Sequence, residues 1–244
     1  MYDLLLTFGI GILAAFLSGM AGGGGGLITT PFFILLGIPP NMAVATTKFG
    51  GLGITMGSLA KFRKTKHVRW DYVVYLSLLS IAAAIVGTRI LLSSSNEVVE
   101  KFIGVMMLVA VPFLLMKGMG VESKATSSAK QVIGYVAYFI NLVLQSAFGT
   151  GIGMTVPLIL MGFFGLTALE AMATRRIPGF ILSLVSLLTY MASGIVNYGH
   201  GIAVFLGMLV GGYVGSHVAI KKGNSFVKWV MAAMVTILGI QLLL

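Results

Sequence analysis

The chain has 244 residues, 58% of them hydrophobic and 9% charged, with a formal net charge of +10 and no cysteine. Soluble domains carry about 25% charged residues, so at a mean hydropathy of +1.03 the solvent for most of this chain is lipid. Without cysteine there are no disulfides, iron–sulfur clusters or thiol nucleophiles, and the cations cluster between apolar runs, which fits the positive-inside rule rather than nucleic acid.

Residues 4–38 are apolar but cut by "AGGGGG", with glycines at every position from Gly22 to Gly26. Each Gly costs a helix about 1 kcal/mol relative to Ala, so a run of them ends it. The piece that follows, 27–38, is too short to cross a bilayer, which takes about 20 residues. Asp3 and the absence of an early Lys or Arg in "MYDLLLTF" argue against a cleaved signal peptide. Full spans are then expected at 43–62, 70–92 and 98–117. Residues 131–166 repeat the opening pattern, an apolar stretch cut by "GTGIG" at Gly149 to Gly153. Further spans are expected at 170–193, 199–221 and 225–243.

The connecting segments set an orientation. "KFRKTKHVRW", "KGMGVESKATSSAK" and "KKGNSFVK" are basic and read as cytoplasmic, whereas "SSSNEVVEK" and the uncharged "SGIVNYG" read as outside. The alternation is consistent if residues 131–166 cross an even number of times, and the same parity in the first half leaves both termini outside.

The chain also matches itself. "LLGIPPNMAVATTK" (35–48) aligns without gaps on "FFGLTALEAMATRR" (163–176), an offset of 128 that continues from Val68 to Val196, Gly87 to Gly215 and Asn96 to Asn224. Upstream, with a two-residue shift, Pro31 meets Pro157 and Gly23 and Gly25 meet Gly149 and Gly151. Equivalent loops carry opposite charge, so the copies are expected to lie upside down relative to each other. Inverted repeats with matching glycine-broken segments point to a secondary transporter whose site lies where the breaks meet. A broken helix offers free backbone N–H groups and the positive end of its dipole. The competing explanation, close helix packing through small residues, suits "GMLVGGYVG" (Gly207, Gly211, Gly215); the same face on 199–221 permits a homodimer.

Lys48 lies about a turn and a half into its expected span, and Arg175 and Arg176 lie at the equivalent depth in the second copy. Of the two arginines Arg176, the partner of Lys48, is the favoured site residue. A cation there either snorkels to the surface or serves a site. Every Asp and Glu falls at a span end or in a loop, so the interior charge is positive and the expected ligand is an anion. The same placement leaves no paired carboxylates, metal ligands or Ser–His pair for an enzyme, and no metal or cofactor is expected. The candidate substrate-binding residues are Gly23, Gly24, Gly25, Thr29, Thr46 and Lys48 in the first copy. In the second they are Gln145, Gly149, Thr150, Gly151, Thr174 and Arg176. Ser18, Thr47 and Thr155 are further polar side chains near the breaks.

"SGMAGGGGGLITTPFFILLGIPPNMAVATTK" resembles the first repeat of the TauE/SafE family of sulfite exporters, and "GTGIGMTVPLILMGFFGLTALEAMATRRIPGF" resembles its second. The resemblance covers nearly the whole length. It implies a prokaryotic plasma-membrane permease for sulfite, organosulfonates or related small anions.

The expected architecture is an all-α polytopic membrane protein. Its first repeat is 1–117, a cytoplasmic linker 118–130, and an inverted second repeat 131–244. Each repeat holds a glycine-broken helical hairpin and three full spans. The expected function is alternating-access transport of a small anion; an anion channel and a non-transporting membrane scaffold are the alternatives.

Overall fold

A computed structural model describes residues 2–99, 126–149, 153 and 155–243, with side chains described to residue 230 except at 228. All regular elements among them are helices. In chain order they are α1 (Tyr2–Ala21), α2 (Gly25–Leu35), α3 (Pro40–Phe62), α4 (Trp70–Ser93), α5 (Ser128–Phe148), α6 (Thr155–Phe164), α7 (Ala168–Thr174), α8 (Arg176–Ala192) and α9 (Tyr198–Leu243). The expected span 98–117 and most of the linker 118–130 lie outside the described residues; α5 begins at Ser128, inside the linker's expected end.

Both glycine breaks fall where the sequence places them. α1 ends at Ala21, Gly22 and Gly24 take positive φ (77° and 94°), and α2 starts at Gly25. α5 ends at Phe148, Gly149 has φ 103°, and α6 starts at Thr155. α2 has 11 residues and α6 has 10. At about 1.5 Å per residue each rises half of a hydrocarbon core about 30 Å thick. Neither crosses alone.

The stretches Tyr2–Ala21, Trp70–Ser93, Ser128–Phe148, Ala168–Ala192 and Tyr198–Val227 are each long and apolar enough to cross a membrane. The protein is a multi-pass membrane protein. Its outer surface carries large apolar side chains at helical spacing, such as Val74, Leu78, Ile81 and Ile85 on α4 and Ile202, Leu206 and Val210 on α9. Small and hydroxylated residues are buried beside large apolar ones, among them Ala14, Ala15, Thr46, Ser58 and Ser186, as suits close packing of helices in a membrane. Gly207, Gly211 and Gly215 of α9 lie over the Phe8, Ile12 and Phe16 carbonyls of α1, so close that a Cβ at any of them would overlap α1. That glycine face is occupied within the chain.

Two helices depart from the expected spans. The span 170–193 is divided at Arg175 into α7 and α8. Pro178 has no N–H for the Thr174 carbonyl, and its ring crowds that carbonyl; the equivalent position in α3 is Gly50 and α3 runs unbroken. In α9 the single non-helical residue Gly223 (φ 82°, ψ −178°) separates the stretches expected as 199–221 and 225–243.

Residues related by the 128-residue offset make the same bonds. The N–H of Asn41, in the first turn of α3, donates to Asn96 Oδ1 at 3.1 Å, and that of Leu169, in the first turn of α7, to Asn224 Oδ1 at 2.9 Å. Each bond satisfies one of the donors that a helix start leaves without an internal partner. Across copies, the Arg69 N–H donates to Thr174 Oγ1 at 3.0 Å and the Asn197 N–H to Thr46 Oγ1 at 3.1 Å. Packing follows suit: α1 lies against α9 and α5 against α4, while α3 and α8 pack on each other.

Candidate functional site

α3 and α8 carry matching stripes at the four-residue spacing that puts side chains on one helix face. On α3 the stripe is Thr47, Gly51 and Thr55; from the α7–α8 joint along α8 it is Arg175, Gly179 and Ser183. A Cβ on Gly51 would collide with Ser183 Oγ, and one on Gly179 would touch Thr55 Cγ2 at 3.5 Å. The stripes therefore cross at reciprocal positions. Beside the crossing lies a small cavity of about 50 Å³, partly open to the outside.

The remaining walls come from the breaks. Gly23, Gly24, Gly25 and Gly26 line the cavity from the start of α2, Gly153 from the second break, Ser18 from α1, Gln145 from α5, and Ile54, Met208 and Arg176 complete it. No side chain caps α2. Its first-turn N–H groups, at the positive end of the helix dipole, border the cavity. The breaks also touch each other: a Cβ at Gly23 would lie 2.5 Å from the Gly153 carbonyl oxygen and 2.7 Å from Arg175 Nη1. Only glycine permits that approach.

Two buried arginines stand at this point, Arg175 with 8% and Arg176 with 2% of its surface exposed. Arg175 Nη1 donates to the Gly153 carbonyl at 2.6 Å and to the Gly22 carbonyl. Arg176 Nε and Nη2 are fully buried with no acceptor. Gln145 Oε1 is also without a partner. The ion pairs among the described residues both involve Arg69, with Asp71 and Glu170, and no carboxylate lines the cavity. An unpaired guanidinium out of water is costly, by several kcal/mol per ion. Unpartnered guanidinium donors thus border a cavity that no carboxylate among the described residues lines.

Of the residues expected from the sequence, Gly23, Gly24, Gly25, Gln145 and Arg176 line the cavity. The other described candidates are not in its lining. Lys48, 1% exposed, donates from Nζ to the Gln145 carbonyl at 2.8 Å, in the last turn of α5, where a cation suits the helix dipole. Thr29 Oγ1 bonds back to the Gly25 carbonyl of its own helix at 3.2 Å, and Thr46 and Thr174 accept the cross-copy bonds described above. Gly149 turns the chain between Thr30 and Val44. Thr150 and Gly151 lie outside the described residues. The sequence argument passed over Gly51, Thr55, Gly179 and Ser183 and ranked Arg175 behind Arg176. The available signal was the four-residue ladder running from Thr47 and Arg175 at the repeat offset.

The family model described as "Sulfite exporter TauE/SafE" matches residues 7–242. A Haemophilus influenzae protein named "Probable membrane transporter protein" is 23% identical over 228 residues, covering 93% of this chain and 89% of the relative. "Probable membrane transporter protein ORF9" of a Sinorhizobium species is 25% identical over 241 residues, covering 98% and 92%. "Sulfite exporter TauE/SafE family protein 3" of Arabidopsis thaliana is 32% identical over 88 residues, 36% of this chain and 18% of that protein. No solved structure matches.

Proposed function

We propose a function from one premise: the chain belongs to the sulfite exporter TauE/SafE family. It is a secondary transporter of a small anion, with sulfite or an organosulfonate as the substrate class, held in the cavity between α3, α8 and the start of α2. The observation that carries this is Arg176, whose Nε and Nη2 are buried without an acceptor in a cavity lined by no carboxylate. An anion would supply both the missing acceptor and the missing charge. Arg176 and the α2 N-terminus would hold it, and Gln145, Thr55 and Ser183 would offer neutral hydrogen bonds.

The two copies are inverted repeats, and alternating access rocks one against the other. The bonds repeated at the 128-residue offset support this, as does the exchange of partners between α1–α9 and α5–α4. The basic segments 61–69, 117–130 and 221–228 face the cytoplasm of a prokaryotic plasma membrane, with both termini outside. An inside-negative potential favours anion export by about 2.3 kcal/mol per charge per 100 mV, which needs no coupling carboxylate.

Sulfite counterflow in proteoliposomes tests the proposal, with sulfate, acetate and a sulfonate as competitors. Saturable exchange is the expected result. Exchange of a different anion would change the substrate and keep the mechanism; unitary currents without counterflow would make the protein a channel. No flux of any anion through well-folded protein would leave a scaffold role.

A further inference from the structure

Arg175 has a task that anion binding by Arg176 does not explain. Its Nη1 bonds the carbonyls of Gly22 and Gly153, one from each glycine break and so one from each copy. Its side chain also borders the cavity, and the residue sits at the joint between α7 and α8. The related position in the first copy, Thr47, bonds only back to the Val44 carbonyl of its own helix at 2.7 Å. The molecule therefore has one such crosslink among its described residues, made by one nitrogen, Nη1, of a rigid planar guanidinium.

We propose that Arg175 is the positioning residue that couples occupancy of the cavity to the two broken helices. The inference rests on the transport reading above. The two carbonyls hold the guanidinium. An anion beside Arg176 attracts the same cation and competes with those carbonyls for it. Occupancy thus shifts the guanidinium, and the starts of α2 and α6 shift with it. Lysine keeps the charge but carries its donors on a flexible stem, without the rigid plane that fixes the two Nη1 hydrogens on the two carbonyls, so Arg175→Lys separates attraction from crosslinking.

The test compares wild type, Arg175→Lys and Arg176→Gln in proteoliposomes by labelled-sulfite counterflow, with sulfite binding measured separately on the purified proteins. For Arg175→Lys we expect half-saturation within about threefold of wild type and a maximal exchange rate at least about tenfold lower. For Arg176→Gln we expect half-saturation raised about tenfold or more. A second measurement needs no variant: amide hydrogen exchange in wild type should change in α2 and α6 together when sulfite is added. Wild-type exchange rates in Arg175→Lys would overturn the proposal. So would a rise in half-saturation like that of Arg176→Gln with the rate preserved, or a change in α2 without α6. If Arg175→Lys does not fold, the amide exchange of wild type decides. Absence of both binding and flux in wild type would instead sink the transport reading, and the coupling role with it.

Discussion

The stripe on α3 and the stripe on α8 are alike in spacing and unlike in charge. Thr47, Gly51 and Thr55 answer to Arg175, Gly179 and Ser183 at an offset of 128 residues, and their small residues cross reciprocally. Yet among the described residues the cations that reach the cavity come from the second copy. Lys48, the counterpart of Arg176, is spent on the Gln145 carbonyl instead. The shared part of the pattern makes a space between two helices. The unshared part decides what belongs in it. With Lys48 added to Arg175 and Arg176 the cavity would hold three cations, more positive charge than one small mono- or dianion neutralises.

The sharpest way to break this comparison is to fill the shared space. Gly23→Ala places a Cβ 2.5 Å from the Gly153 carbonyl oxygen, a backbone atom that cannot swing aside. Overpacking of this kind costs about 1–3 kcal/mol. Because it drives the two breaks apart, the expected outcome is loss of anion exchange together with a lowered melting temperature in detergent. A variant that melts and exchanges like wild type would mean that the breaks do not meet.

Next in size is the unshared part. Arg176→Gln removes buried donors that an anion would use. Hydrogen bonds to charged groups contribute about 1.5–3 kcal/mol, so half-saturation should rise by about 10- to 100-fold. Lys48→Met is the control from the other copy. It removes a bond to the Gln145 carbonyl from a side chain that does not itself line the cavity. It should lower the melting temperature and leave half-saturation within about threefold. Counterflow titrations of the two variants side by side read the difference. If Lys48→Met weakens binding as much as Arg176→Gln does, the charge asymmetry drawn between the copies is wrong.

Much of this was legible in the sequence because glycine and proline act locally. The runs at Gly22 and Gly149 stop helices wherever they occur, and both breaks fall where the composition puts them. The apolar spans at 70–92, 170–193 and 199–221 were legible for the same reason, since length and hydropathy are properties of a segment, whereas the stretch 43–62 lies in the helix α3 but is not among those apolar enough to cross a membrane. The stripes were not read, although the offset was known, because only the crossing of α3 and α8 shows which face of each helix looks inward. Lys48 and Arg176 were paired by alignment and therefore expected to share a role. Alignment carries depth along a helix; it does not carry what the neighbouring helix presents, a carbonyl at Lys48 and an open cavity at Arg176. Arg175 was ranked lower for want of one inference from Pro178. A proline three residues on removes the N–H that the Thr174 carbonyl would accept, which opens the helix at Arg175 while leaving it on the face it shares with Gly179 and Ser183.

The smallest effect tests the shared pattern itself. Thr46 and Thr174 accept the related backbone N–H groups of Asn197 and Arg69. Replacing either hydroxyl by the isosteric Val leaves one N–H without its acceptor, at about 1–3 kcal/mol. If the copies are equivalent at their two ends, Thr46→Val and Thr174→Val should lower the melting temperature by similar amounts. Any difference is expected on the Arg69 side, where the guanidinium also reaches Glu170 and Asp71 at 3.5 Å. That side chain is 34% exposed, and exposed pairs contribute about 0–1 kcal/mol. The excess tolerance of Thr174→Val should therefore be small and should shrink as salt screens the pairs. A large difference that salt does not touch would mean that the two ends are held by different interactions, and that the matching bonds do not reflect a matching fold.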